Sequence, residues 1–371
     1  MRGLFKATLV IISICLLFLL IPKTNASGDE IVTFPDPNLE AAIRQAIKKP
    51  TGDILQSDLI GLTQLTHVYT GTRGIADLTG IENCTNLTYL ILEYNHISNI
   101  SPLADLIALE TLSLSHNPLN DISPLSGLVH LRFLDLYECQ QISDISPISN
   151  LTSLENLLLG GNNISNLAPL SKLTNLIELS LNRNLIEDIS PLQYLTRLRS
   201  LSLGGNDIND ISALSNLTNL SNLGFSRNEV SDISSLSGLT NLFNLELSDN
   251  LVSNVSPLSG LINLGILGLE QNQIRDIKPL ADNAGLSQGD MIFLDKNPLN
   301  AESVDTYIPR LEARGVKIQY TLPPPYTYTP KPEGEGGPPS FPYIYVYIGI
   351  GSALGVGILA YLARRRLMRQ G

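Results

Sequence analysis

The chain has 371 residues, 43% of them hydrophobic, and a formal net charge of −11. That acidity makes nucleic acid and anionic lipid poor partners, because phosphates would be repelled. Ordinary domain counting gives two or three domains, a count that an internal repeat overrides because its core grows with every unit.

Residues 1–26 read as a secretory signal. Arg2 and Lys6 give a basic start, 7–21 is apolar but short for a membrane span, and Thr24-Asn25-Ala26 offers a cleavage site. The alternative is an uncleaved anchor. Cys15 lacks an LxGC context, so lipidation is not expected. Residues 27–64 predict a helical N-terminal cap. In DPNLEAAIRQAIK, Asp36 caps, Pro37 suits the first turn, and Leu39, Ala42, Ile43, Ala46 and Ile47 share one face. A second short helix is expected near 57–62.

Residues 65–297 repeat about every 22 residues, starting at Leu65, Leu87, Leu109, Leu131, Leu154 and onward to Leu264. One step is 23, where Gln140-Gln141 adds a residue. In the clearest copy, Leu179 and Leu181 alternate like a strand, while Ile186, Ile189, Leu192 and Leu195 step by three like a 3₁₀ turn. One copy cannot bury this face, but stacked copies can. Asn95, Asn117, Asn162, Asn184, Asn206, Asn228, Asn250, Asn272 and Asn297 are expected to point inward and bond backbone of neighbouring turns. Arg73 and Cys139 interrupt that series. Pro102, Pro124, Pro147, Pro169, Pro191, Pro257 and Pro279 start the convex turns. Asp121, Asp144, Asp188, Asp210, Asp232 and Asp276 before the turns are read as capping residues rather than a calcium ladder. Ten clear units are followed by a degenerate one with Ile292, Leu294 and Asn297.

Residues 298–321 predict a C-terminal cap: a helix over 301–315 with Val304, Tyr307, Ile308 and Leu311 inward, weakened by Pro309, then a strand over 316–320. The Pro- and Gly-rich 322–342 reads as an extended spacer. Residues 343–362 form a 20-residue apolar run, about 30 Å as a helix and so one hydrocarbon core. Tyr343, Tyr345 and Tyr347 make an aromatic belt. Arg364, Arg365, Arg366 and Arg369 in the basic tail, 363–371, keep that end cytoplasmic. The expected location is therefore the cell membrane, with one crossing and the repeats outside. Gly351 and Gly355 make a GxxxG pair that would support a weak homodimer, or are chance in a Gly-rich span. A sortase-processed tail is the alternative to a retained anchor, although no LPxTG motif is present. Residues 27–342 hold all 35 acids against 17 Lys and Arg, a balance of −18.

Catalytic and metal motifs are not found. Cys84 and Cys139 read as buried free thiols at different corners, and His67, His96, His116 and His130 are scattered. Gly160-Gly161 and Gly204-Gly205 read as turn residues. Sequons such as Asn86-Leu87-Thr88 arise from the repeat's own letters. No cofactor is expected. The informative feature is a gradient along the outward positions of the strands. The first four units place Tyr69, Tyr89, Glu93, Tyr94, His116, Phe133, Asp135, Tyr137 and Glu138 there, whereas later units carry mostly Ser, Gly and Asn. Exposed aromatics beside charges are the composition of binding hot spots.

The pattern LxxLxLxxNxI is that of leucine-rich repeats, and its second half, NxIxDIxPLxxL, resembles the 22-residue repeats of internalin-type surface proteins of bacteria. The likeness covers 65–297. It implies an α/β solenoid with a parallel β-sheet on the concave face and short 3₁₀ or irregular turns on the convex face, here with a helical N-terminal cap and one C-terminal transmembrane helix. It also implies binding of a protein ligand, or adhesion, through the concave face; with catalytic motifs not found, no enzymatic activity is expected. No immunoglobulin-like domain follows the repeats, a departure from the best-known internalin layout. Two other readings are a carbohydrate or cell-wall binding module, with rings on sugars and Glu93, Asp135 and Glu138 on hydroxyls, and a purely structural envelope protein. A hydrolase using Asp135 and Glu138 is the weakest reading, since no flanking substrate pocket is evident.

Overall fold

Each repeat divides where its period changes. The alternating part forms a strand of three residues, and the part stepping by threes closes the coil through a 3₁₀ turn such as Ser190–Tyr194. A computed structural model describes residues 24–25, 28–66 and 74–321. Twelve strands form one parallel sheet in chain order: β3 (Gln64–Leu65), β4 (Tyr89–Ile91), β5 (Thr111–Ser113), β6 (Phe133–Asp135), β7 (Asn156–Leu158), β8 (Glu178–Ser180), and so on through β12 (Ile266–Gly268), β13 (Met291–Phe293) and β14 (Lys317–Gln319). The central leucines stand in line: Leu112 opposite Leu134, Leu134 opposite Leu157, Leu179 opposite Leu201. Leu176, Leu181, Ile186, Leu192 and Leu195 of one coil are fully buried, and one continuous apolar cluster runs from Val32 to Val316. At about 1.5–3 kcal/mol per buried side chain, each coil gains its stability from its neighbours rather than from itself.

The asparagines bond as their positions require. Asn206 donates through Nδ2 to the carbonyls of Leu181 and Leu203, and its Oδ1 accepts the Ile186 N–H of the preceding coil. Asn184 and Asn228 repeat the arrangement, so each inner carbonyl serves two successive side chains. Among the described residues the ladder breaks at one rung. Cys139 replaces the asparagine and gives only a weak Sγ bond to Leu114 O at 3.5 Å. In the following unit, Asn162 Oδ1 is buried without a partner. The inserted residue beside Cys139 shifts the N–H that Asn162 would otherwise meet.

The convex aspartates cap the turns. Asp121, Asp144, Asp188, Asp210, Asp232 and Asp276 each accept a backbone N–H two residues on. On one flank a second asparagine series appears, of which the sequence had pointed only to Asn86, as part of a sequon. Asn86, Asn175, Asn219, Asn241 and Asn263 donate to carbonyls of the preceding coil.

Ahead of the coils, α1 (Pro37–Ile47) buries Leu39 and Ile43 in the common core. Asp36 caps α1 through Oδ1, and its Oδ2 accepts the Ala76 and Asp77 N–H groups, tying the helix to the first coil. Burial would raise the Asp36 carboxyl, but these four donors outweigh it and hold it below the ordinary range. The second helix, α2, spans Gln56–Leu59. A short antiparallel pair, β1 (Ile31–Val32) with β2 (Ile54–Leu55), was not anticipated. The first repeat also departs from phase, because Leu65 stands opposite Leu90 where the 22-residue spacing would place Leu87 one step on. At the far end, helix α3 (Lys278–Asp282) takes the place of the convex 3₁₀ turn, with Asn283 fully buried on the carbonyls of Leu258 and Leu261. Beyond it, a π turn, Ser303–Tyr307, leads directly into helix α4 (Ile308–Glu312), which carries Pro309 in its first turn, and Tyr307, Ile308 and Leu311 face inward.

Among the described residues, no helix is long and apolar enough to cross a membrane. The signal at 1–26, the spacer at 322–342, the span at 343–362, the tail at 363–371, and Arg73 and Tyr69 lie outside the described residues, apart from Thr24 and Asn25.

Candidate functional site

The residue before each ladder asparagine ends the concave strand and turns the chain into the coil's upper corner. That turn takes a left-handed backbone at each of its ten described corners. Tyr94, His116, Glu138, Arg183, Arg227, Asp249, Gln271 and Lys296 all have φ between 51° and 61°, and Gly161 and Gly205 fill the same corner in two units. The side chains at these corners project from the rim of the concave face.

At the N-terminal end, four of the expected site residues meet on this rim. The Tyr94 ring stacks on His116 with centroids 4.1 Å apart and planes 11° apart, and Tyr137 meets His116 edge-on at 5.7 Å. Tyr94 and Tyr137 therefore lie on the same side of the molecule. His116 Nδ1 is 3.4 Å from Glu138 Oε2, and Glu138 Oε1 accepts from Arg183 Nη1 at 2.8 Å. This last contact crosses a whole unit. It is possible because residues 160 and 161 are glycines: a Cβ on Gly160 would lie 2.8 Å from the Tyr137 ring, and one on Gly161 2.7 Å from Glu138 Cγ. The glycine pair is thus a dent that seats Tyr137 and Glu138, besides being a turn. Arg183 is 65% exposed, so its ion pair is worth at most ~1 kcal/mol. It orients Glu138 more than it stabilises the fold. We call this cluster the ledge.

Below the ledge sits a second group. Asp135 was expected to face solvent but is only 9% exposed. Its position on the tightly stacked inner row leaves it covered by neighbouring strands. Oδ1 accepts the Tyr137 N–H, and Oδ2 lies 3.2 Å from Ser113 Oγ, which also lies 2.8 Å from Glu93 Oε1. Burial pushes the Asp135 carboxyl up to about 6, with the Tyr137 N–H pulling it down and Glu93 pushing it further up. Burial also raises the Tyr137 phenol, assisted by Glu138. Tyr89 and Phe133 occupy the outermost row, two strands apart across Thr111. Asp135 and Glu138 are each engaged by partners within the fold, Asp135 by Ser113 and the Tyr137 N–H and Glu138 by Arg183. Burial drives the thiols of Cys84 and Cys139 up to about 12, so both stay protonated and unreactive.

The later units are less bland than their letters imply. Glu246, Ser248 and Glu270 bond one another on the concave face, and Gln319 joins Asp295. Sequence reasoning missed Arg183, Ser113 and the role of the glycine pair. A spacing of two units from Glu138 to Arg183, with glycine at the intervening corner, was the available signal.

A family model described as Leucine Rich repeats (2 copies) matches residues 107–150, 152–194 and 196–238. A crystal structure of an internalin (inlF) from Listeria monocytogenes is 34% identical, with a TM-score of 0.70, covering 78% of this chain and 91% of that one. The chain belongs to the internalin-type leucine-rich repeat proteins. Internalin C2 from the same organism is 36% identical over 61% of this chain and 100% of that one, with a TM-score of 0.56. The ectodomain of the plant receptor kinase GASSHO1/SCHENGEN3 from Arabidopsis thaliana is 28% identical, with a TM-score of 0.52, over 58% of this chain and 28% of that one. No curated protein matches the chain. In this internalin-type chain the ledge stands out from the rim that follows it, where the aromatic corners give way to glycine and single charged or amide groups.

Proposed function

We propose that this protein is displayed on the cell surface and binds a protein ligand, as in adhesion, through the N-terminal half of its concave face. The observation that carries this is the ledge. Two tyrosines and a histidine are held rigid against one another, and Tyr94 remains 53% exposed. Pre-organised rings offer contact area at little entropic cost. The same fold supports the reading, since the plant receptor ectodomain similar to this chain is seen in complex with CASPARIAN STRIP INTEGRITY FACTOR 2. Display would come from secretion through 1–26 and retention by a helix at 343–362, with the Pro- and Gly-rich 322–342 as spacer and the basic tail inside. In this reading α1 and α2 shield the first coil. A weak association through Gly351 and Gly355 fits the same arrangement.

The test is capture of extracellular proteins and, in parallel, of glycans by the full chain in detergent micelles. Tyr94→Ala with Tyr137→Ala should abolish protein capture while thermal stability is kept. Capture that survives the double change, or capture of glycans alone, overturns the reading.

A further inference from the structure

The group below the ledge poses a question of proton count. Three oxygens lie in a chain: Glu93 Oε1, Ser113 Oγ and Asp135 Oδ2, with separations of 2.8 and 3.2 Å. The 2.8 Å contact holds a hydrogen, whereas at 3.2 Å two buried oxygens with none between them would face each other lone pair to lone pair, an unfavourable arrangement that a shared proton relieves. If both carboxylates are ionised, the Ser113 hydroxyl supplies one proton and the second contact has none. Ser113 is fully buried, so water cannot insert there. The chain closes only when Asp135 carries a proton, donates it to Ser113, and Ser113 donates onward to Glu93. The remaining bonds of Asp135, to the Tyr137 N–H and to the Ser115 side chain, are compatible with either state of Oδ2.

We propose that Glu93, Ser113 and Asp135 form a proton-operated latch on the ligand-binding ledge. With Asp135 protonated, Glu93 is held down on Ser113. With Asp135 ionised, Ser113 can serve only one carboxylate, and the half-buried Glu93 swings out beside Tyr94. The latch therefore offers a free carboxylate to a cationic group of the ligand at neutral pH and withdraws it in mild acid. Asp135 is the proton site because it is the more deeply buried of the two and stands near pH 6. The other groups facing it do not alter the count. His116 and Glu138 lie on the rim above, with Arg183 bonded to Glu138. Tyr137 is kept protonated by burial, and Cys139 is a neutral thiol. The following strand presents Leu158 and Gly160, which carry no charge. The Glu246–Ser248–Glu270 group has the same one-hydroxyl, two-carboxylate composition, and burial likewise raises Glu270.

The effect on ligand rests on the ledge being the binding surface, but the latch itself does not, so the test uses no ligand. The full chain, labelled with ¹³C at the Asp and Glu carboxyls, is titrated by NMR from pH 4 to 8, with Asp135→Asn and Glu93→Gln assigning the two resonances. The expected result is an aspartate midpoint near pH 6 and a Glu93 shift with the same midpoint. Ser113→Ala should remove that shared midpoint from Glu93. In Asp135→Asn, whose amide can donate permanently to Ser113, Glu93 should show no transition near pH 6. An Asp135 midpoint within the ordinary aspartate range, or a Glu93 signal indifferent to Asp135, overturns the latch. Failure of the ledge reading would show separately, as protein capture unaffected by the tyrosine changes.

Discussion

Replacing Asn206 with Ala measures what a single rung of the inner ladder contributes. The side chain makes three bonds, to Leu181 O at 3.1 Å, to Leu203 O at 2.8 Å and from Ile186 N at 3.1 Å. The two carbonyls keep a second donor each, Asn184 and Asn228, so they lose one bond but are not stranded. The Ile186 N–H is the group left buried and unpaired. Two net bonds at roughly 0.5–1.5 kcal/mol each and one orphaned donor at roughly 1–3 kcal/mol give a loss of about 2–6 kcal/mol. Urea unfolding followed by circular dichroism reads the total, and hydrogen exchange at the Ile186 amide reads the orphan directly. A total loss under about 1 kcal/mol, with the Ile186 amide still protected, would refute the reasoning.

The other expectations probe the rest of the molecule. Cys139→Asn restores the missing rung, with Nδ2 replacing a weak thiol bond to Leu114 O, and should raise stability by about 1 kcal/mol in urea; a loss would mean that the extra residue at Gln140 has already closed the site. Asp135 has a folded pKa of about 6 against an ordinary 3.8, so its stabilising contribution is complete below the ordinary value and is lost as pH rises through 6. Asp135→Asn should therefore stabilise the chain by up to about 3 kcal/mol more at pH 7.5 than at pH 3.5, and an equal effect at both pH values would contradict the assignment. Gly161→Ala puts a Cβ 2.7 Å from Glu138 Cγ at a φ of 69°, so it should cost about 1–2 kcal/mol and release Arg183, seen as a loss of melting temperature with the coils otherwise intact.

Much of this was readable because the physics is periodic. A leucine that recurs every 22 residues faces the same neighbour in every coil, so burial, sheet register and the asparagine rungs could be assigned from spacing. Asp135 could not, because an outward position on a strand usually faces water, and only the close stacking of the inner row covers it. The bond from Glu138 to Arg183 escaped notice because it depends on a side chain that is absent, at Gly161, rather than on one that is present. The first coil was misphased because Leu65 is a leucine at the expected spacing, yet it pairs with Leu90 through a register the repeat does not use. Pro309 was expected to weaken a helix, and the chain instead widens the preceding turn to absorb it.

The left-handed corner of each coil has a consequence for how such a surface evolves. Glycine is the residue that fits that corner without penalty, and each non-glycine there gives up roughly 1–2 kcal/mol. Of ten corners, eight nonetheless carry a side chain, and one of the two glycines is where a neighbour's carboxylate must pass. A sequence shaped by folding alone would drift towards glycine at all ten. Gly161 apart, the corners are interchangeable mountings: the eight that carry side chains hold residues of very different size and charge above the same stack, so new specificities are reachable one mutation at a time.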